Sequence, residues 1–225
     1  NAVETPDEHR VPAVYDARTF ELTGYSPTGR SGRFRASDFA VEISGTINVR
    51  TIFDSELSYE QSPNGGRQRR LVEHVRTVFR RDDLAGALPL GQLQSRALPY
   101  QNFRLALTPG LVDAVFNDSA SRVTESMLAD SRYMHMHDED GALDSGWWIP
   151  SGKMFFSPGS SDTAEQELDY ARAHFFLPHR ARDPFHTNEA STESFVTYDH
   201  YDLLLEQVRD PLNNMITVGE RDLDS

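Results

Sequence analysis

Two histidines separated by one residue, His135 and His137 in "RYMHMHDEDG", are followed at once by Asp138, Glu139 and Asp140. On a strand, alternate side chains share a face, so these imidazoles could offer two nitrogens with a carboxylate beside them. That is the donor set of a zinc or non-haem iron site, and it would suit a metal-dependent hydrolase. The competing reading is a polar loop ahead of "GWWIPSG", since no distant third ligand is indicated by spacing. Bound zinc, iron or manganese in purified protein decides between the two.

Trp147 and Trp148 raise a second possibility. Neighbouring strand residues point to opposite faces, so one indole packs inward while the other covers a neighbouring layer or stays exposed. Exposed, the pair would make a sugar-stacking platform; buried, it is core. A run of arginines, Arg67, Arg69, Arg70, Arg76, Arg80 and Arg81, is either a patch for an acidic partner or a solvated face paired with Glu73, Asp82, Asp83 and other carboxylates. Together the tryptophans and the Arg67–Arg81 stripe define the alternative of a glycan- or protein-binding surface module.

Nucleophilic and nucleotide chemistry find no support. Ser151 in "IPSGK" lacks the Gly-x-Ser-x-Gly elbow, and the sequence contains no cysteine, no Gly-x-x-x-x-Gly-Lys phosphate loop and no dinucleotide fingerprint. Adjacent acids such as Asp82 and Asp83 carry little information among 35 acidic residues and fit a solvated turn. The expectation is a protein that is not an enzyme, with no catalytic, cofactor-binding or metal-binding residues.

The totals point the same way. A chain of 225 residues with 38% hydrophobic residues is long enough to bury a core. Its formal charge of −13 opposes general binding to nucleic acid or to an anionic lipid surface, both of which need a positive face. The lack of cysteine excludes a disulfide framework. No signal peptide is visible in "NAVETPDEHR", and no apolar run is long enough to span a bilayer, so direct membrane insertion is not expected. The start on Asn1 predicts a piece of something longer.

These residues must be held by elements that alternate more than they spiral. Residues 1–13 form a polar lead-in. "VYDARTFEL" alternates as a strand ended by Gly24, and "RFRASDFAVEIS" resumes alternation after the turn-rich "SPTGRSG". "RQRRLVEHVRTVFRRDD" is ambiguous: Leu71, Val72, Val75, Val78 and Phe79 have helical spacing, yet the β-branched content after Asn64-Gly65-Gly66 suits a strand leaving a turn. "NFRLALT" predicts a strand. Helices are predicted at Pro109–Phe116, at Ser121–Leu128 and within "SSDTAEQELDYARAHFF". There Asp162 and Glu165 have capping-box spacing, and Ala164, Leu168, Ala171 and Phe175 form a stripe to pack on a sheet. "ESFVTYDHY", "DLLLEQVRD" and "NNMITVGERD" are strand-like again, as in a β-meander.

Asp183-Pro184-Phe185 and Asp210-Pro211-Leu212 each open a turn into such a run. Aspartate before proline accepts backbone N–H groups while proline fixes the next φ, and Asn213-Asn214 tolerates the left-handed region that closes the turn. A turn of fixed chemistry recurring between strands is the sign of stacked strands.

"FVTYDHYDLLLEQVRDPLNN" resembles the Tyr-Asp, or RHS, repeat. The blocks "ARTFELTGY", "RQRRLVEHVRTVFRRDDL", "LPLGQLQSRALPYQNFRLALTPGLV", "GWWIPSGKMFFSP" and "ARAHFFLPHRARDPF" resemble, in order, the B component of bacterial insecticidal toxin complexes, from Tyr15 to Val218. The resemblance implies a mainly β fold with a few short helices, in which RHS-type strands form a large curved antiparallel sheet. It favours strand over helix for the arginine-rich segment. It also implies one shell segment over residues 14–225, with 183–225 the clearest repeat part.

In that family the B component joins a C component in a hollow shell that holds a toxic payload, and a channel-forming A component delivers it. The resemblance therefore implies a secreted, extracellular toxin assembly with C and A components as partners. The family's self-cleaving site belongs to the C component and has no counterpart here. Tyr198, Asp199, Tyr201, Asp202 and Asp210 are then architectural: tyrosines pack along the sheet while their hydroxyls find partners, and aspartates set turns. Two departures stand out. His186 follows Phe185 where the family has glycine, and "TNEASTES" is inserted before the next strand, which predicts a reshaped, longer loop after Asp183.

Overall fold

A computed structural model describes residues 2–3, 13–27, 32–35, 38, 41–43, 46–48, 53–117, 120 and 122–219. The protein is mainly β, with three short helices among the described residues. Strands β1 (Ala2–Val3) and β2 (Ala13–Val14) pair antiparallel, so the described ends of the lead-in meet each other. After β3 (Asp16–Thr23) comes a separate ribbon of β4 (Val41–Ile43) and β5 (Thr46–Asn48), then β6 (Ser55–Leu57). Within "RFRASDFAVEIS", residues 36, 37, 39, 40 and 44 lie outside the described residues.

The arginine-rich segment is a strand, β7 (Gln68–Phe79), the longest among the described residues, not a helix. Helical spacing of its apolar residues competes with three partners that only an extended chain can reach. β3 runs antiparallel along one edge. On the other edge β6 pairs parallel with Gln68–Arg70, and β8 (Pro99–Leu107) pairs antiparallel with Val75–Phe79. The turn into β7 is fixed by Asn64, whose Oδ1 accepts from the Gly66 amide, and by Gln68, whose Oε1 accepts from the Asn64 amide. Gly24, which ends β3, has φ +74°, and a Cβ there would sit 2.0 Å from the Gly66 carbonyl oxygen, so no larger residue fits.

Helices α1 (Pro109–Val115) and α2 (Glu125–Asp130) follow β8, each N-capped by a threonine hydroxyl, Thr108 and Thr124. α2 starts later than the sequence predicts, because Thr124 supplies the cap. β9 (Trp147–Pro150) closes the first sheet against β8. β10 (Lys153–Phe155) opens a second sheet whose order is β10, β11 (Arg180–Arg182), β12 (Glu193–Tyr198), β13 (Leu205–Arg209), β14 (Met215–Thr217), every pair antiparallel.

Between β10 and β11 lies α3 (Ala164–Ala173). Its capping box is one residue later than predicted: Thr163 and Gln166 exchange the two bonds, and Asp162 instead accepts from the Ser157 hydroxyl. "DTAEQ" offers two overlapping boxes, and the Ser157 contact takes the first one's aspartate. Leu168 and Ala171 pack on Leu84, Leu98 and Phe156. Phe175, expected on that stripe, is exposed. The helix ends at Ala173, and left-handed φ values at Phe175 and Phe176 turn the chain so that Phe176 packs there instead.

The apolar core is divided into three small clusters. One lies under α3, one gathers Phe103, Met136 and Trp148, and one gathers Val112, Leu128 and Trp147 beneath α1 and α2. Several charged residues are buried as well, among them Asp16, Arg76, Arg80, Glu167, Arg180 and Glu193.

Candidate functional site

The first metal candidate does not assemble. The segment is a loop held by isolated bridges, Met134 with Trp148 and His137 with Leu143. Its two histidines have separate roles. His135 packs tilted against Trp147 at 4.0 Å between ring centroids, with Nδ1 2.9 Å from the Gly146 carbonyl, whereas His137 is exposed. Asp138 is committed to its own turn, accepting from the Asp140 and Ala142 amides. Glu139 is held by the Tyr15 hydroxyl. Among the described residues, no third ligand approaches His135 and His137.

Nor is there a tryptophan platform. The indoles do point to opposite faces, but both faces are covered: Trp147 is 9% exposed and Trp148 0%. β9 is the end strand of its sheet, yet the α1–α2 cluster covers one face and Phe103 and Met136 the other, so neither ring can stack on a sugar.

Every arginine of the stripe has an anionic partner. Arg67 pairs with Asp54, Arg69 with Glu56, Arg70 with Glu21, Arg76 with Asp16 and Asp144, Arg80 with Glu167 and Arg81 with Asp83. The stripe is therefore neutralised internally, although two expected partners differ. Glu73 turns to Arg104 and Asp82 to Arg96, because the β7–β8 register and the turn after β7 bring those closer.

Two buried ionic groups stand out, one within this stripe and one at Glu193. Asp16 meets His74 and Arg76 beneath Trp148, with the Arg76 guanidinium 4.3 Å from the indole centroid. Burial pushes His74 below its ordinary pKa, while Asp16 stays low because His74 and Arg18 outweigh its own burial. Glu193 accepts from Arg180 at 2.5 Å, Arg182 at 2.6 Å and the Ser160 hydroxyl at 2.5 Å. Burial opposes its ionisation, yet these donors prevail and hold its pKa at about 2.

The aspartates at the strand corners accept turn hydrogen bonds, as expected of them. Asp183 Oδ1 accepts from the Phe185 amide and the Thr192 hydroxyl, and His186 Nδ1 accepts from the Thr192 amide. The inserted loop is thus closed before β12 enters in register. Asp199 Oδ1 accepts from the Leu203 and Leu204 amides. Asp210 accepts from the amides of Leu212 and Asn214 and from the Asn214 side chain, and Asn213 takes φ +65°. The Tyr198 hydroxyl donates to the Pro178 carbonyl at 3.0 Å. Tyr201 departs from the expectation, since it stands 70% exposed at the turn instead of packing along the sheet.

Asp202 is more than a corner. It lies 2.8 Å from His174 Nδ1, and with His179 these residues bring three donor atoms within 4.8 Å of one another. His174 is the C-cap residue of α3, His179 precedes β11, and Asp202, with φ +56°, sits in the β12–β13 turn. Tyr170 stacks on His174 at 4.0 Å, and Tyr170 and Tyr198 meet His179 edge-on at 5.1 and 5.2 Å. Burial, then the nearby His174, push His179 below its ordinary pKa, while a hydrogen bond with the Val196 backbone and the Asp202 charge oppose them. The only sequence trace of this group is the spacing His-x4-His around Pro178; Asp202 comes from a distant turn.

Apart from that group, an open groove of about 720 Å³ runs between β8, β10 and α2, lined by Tyr100, Phe103, Tyr133, Lys153, Phe155 and Arg182. Among the described residues, no helix is long and apolar enough to cross a membrane.

These features define a mainly β protein of antiparallel sheets whose strands turn on carboxylate-capped corners. Solved structures similar to it come from toxin complexes. The crystal structure of TcdB2-TccC3-Cdc42 matches with TM-score 0.38 and 14% identity, covering 91% of this chain and 10% of that one. TcdB2-TccC3 without its hypervariable C-terminal region matches with TM-score 0.35 and 14% identity over 91% and 10%. TcdB2-TccC3 matches with TM-score 0.34 and 15% identity over 67% and 8%. The chain spans about a tenth of the length of the first of these. No protein-family model matches the chain, and no curated protein does.

Proposed function

We propose that the chain is a structural, non-catalytic segment of an RHS-type toxin-complex shell, secreted within a larger assembly. With a C component it encloses a toxic payload, and through the rest of its parent it meets a channel-forming A component. The ordered sequence blocks that resemble the B component support this reading. The observation that carries it is the five-stranded β10–β14 meander. Asp183, Asp199 and Asp210 turn it, and among the described residues no strand pairs with the outer edge of β14. β14 and its flanks carry exposed Met215, Ile216 and Val218, with Leu212 exposed in the turn before it, a combination that sheets present where more sheet or a partner covers them.

Co-expression with a C component tests the proposal. The expected result is a stable co-purifying particle, hollow by electron microscopy, that shields its payload from added protease. Ile216→Lys should reduce co-purification while leaving circular dichroism unchanged. A chain that stays apart from the C component, or a payload that remains digestible, overturns the reading.

A further inference from the structure

We propose that His174, His179 and Asp202 bind one divalent transition-metal ion of the zinc class, clamping the end of α3 to the β12–β13 turn. The site is independent of the shell reading and distinct from the His135–His137 segment, whose histidines do not converge.

The three donors already lie within 4.8 Å of one another. Around a tetrahedral zinc, with bonds of about 2.0–2.1 Å, ligand atoms stand roughly 3.3–3.5 Å apart, so modest side-chain adjustment closes the site. His174 and Asp202, at 2.8 Å, are near enough that an ion takes the place of the proton between them.

A second observation is independent of that clustering. His179 is 5% exposed, and its buried Nε2 has no hydrogen-bond partner. Buried polar atoms are rarely left in this state, and a metal ion at the centre of the group supplies the missing partner.

The surroundings suit a bound ion. Tyr170 and Tyr198 wall the histidines, while the side chains of His174 and Asp202 are 32% and 15% exposed and leave an opening for the ion and a water as fourth ligand. Two imidazoles and one carboxylate select the zinc class over calcium or magnesium, which take oxygen ligands.

The test uses the full chain after treatment with a chelator and dialysis. Titration with zinc sulfate by calorimetry should give one site and a raised Tm, and cobalt chloride should give the visible absorption of a tetrahedral complex. His179→Phe, which keeps an aromatic ring in the cage, and Asp202→Asn should each weaken zinc binding by at least about tenfold, the lower end of what even outer-shell changes cost. No zinc binding at millimolar metal, or wild-type binding by a folded His179→Phe variant, overturns the proposal. If either variant misfolds, NMR of the wild-type chain decides. Zinc should shift the imidazole signals of His174 and His179 and spare those of His135 and His137, and the reverse pattern overturns the site.

Discussion

Arg80 and Glu167 face each other in a buried, two-pronged ion pair: Nη1 to Oε1 and Nη2 to Oε2 are both 2.7 Å. The pair joins the end of β7 to α3. The rest of the fork is used as well, since Nε and Nη2 donate to the Leu84 carbonyl, and Glu167 Oε1 also accepts from the Phe156 amide. A satisfied network of this kind sets the helix's position more specifically than the small apolar cluster beneath it.

Glu167→Ala leaves the Arg80 guanidinium buried without its counter-charge, and stability should fall by about 3–5 kcal/mol. The double variant Arg80→Met with Glu167→Leu removes both charges and should be less destabilised than Glu167→Ala alone. Urea midpoints at unchanged slope check the ordering.

Stability should decline in acid partly through Glu193. Its folded pKa of about 2 lies below the ordinary glutamate value of about 4.3, so its contribution is complete above that ordinary value and is lost as pH falls toward 2. The contribution is on the order of 3 kcal/mol, taking about 1.4 kcal/mol per pKa unit. Glu193→Gln should be destabilised at pH 7 and should flatten the stability profile between about pH 5 and pH 2. Denaturant unfolding at several pH values measures both effects.

Asp210→Ala removes an acceptor for two turn amides and for the Asn214 side chain. Hydrogen exchange should accelerate in β13 and β14 and remain unchanged in β7 and β8, because the lost bonds are local to the last corner. A chain-wide loss of protection would show that this corner supports the whole fold.

Trp148 is fully buried, and Trp148→Ala should cost about 3–5 kcal/mol through the cavity left between Phe103 and Met136. The emission of the wild-type chain should be blue-shifted and weakly quenched by acrylamide, since neither indole is open to solvent. Soluble oligosaccharides should leave it unchanged.

Much of the architecture was legible in the residues. Alternation gave β3 and β8, a helix was read at Pro109–Phe116 where α1 lies, and the aspartate corners at Asp183 and Asp210 announced the turns now seen between β11 and β14. Each of these depends on neighbours a few positions away, where side-chain type restricts φ and ψ directly. β7 was less legible, because its apolar spacing fits a helix until three strands claim its edges. The α3 cap was offset by one residue because two boxes overlap in the sequence.

By itself, the sequence determined the β-rich class, the carboxylate-capped corners and the acidic, cysteine-free character of the chain, all consequences of local residue chemistry. Only the tertiary structure decided which charges neutralise one another, that both tryptophans are enclosed, and that His174, His179 and Asp202 converge. Those relationships join residues far apart in the chain. Their distances are set by strand order and by the packing of α3, which no local pattern encodes.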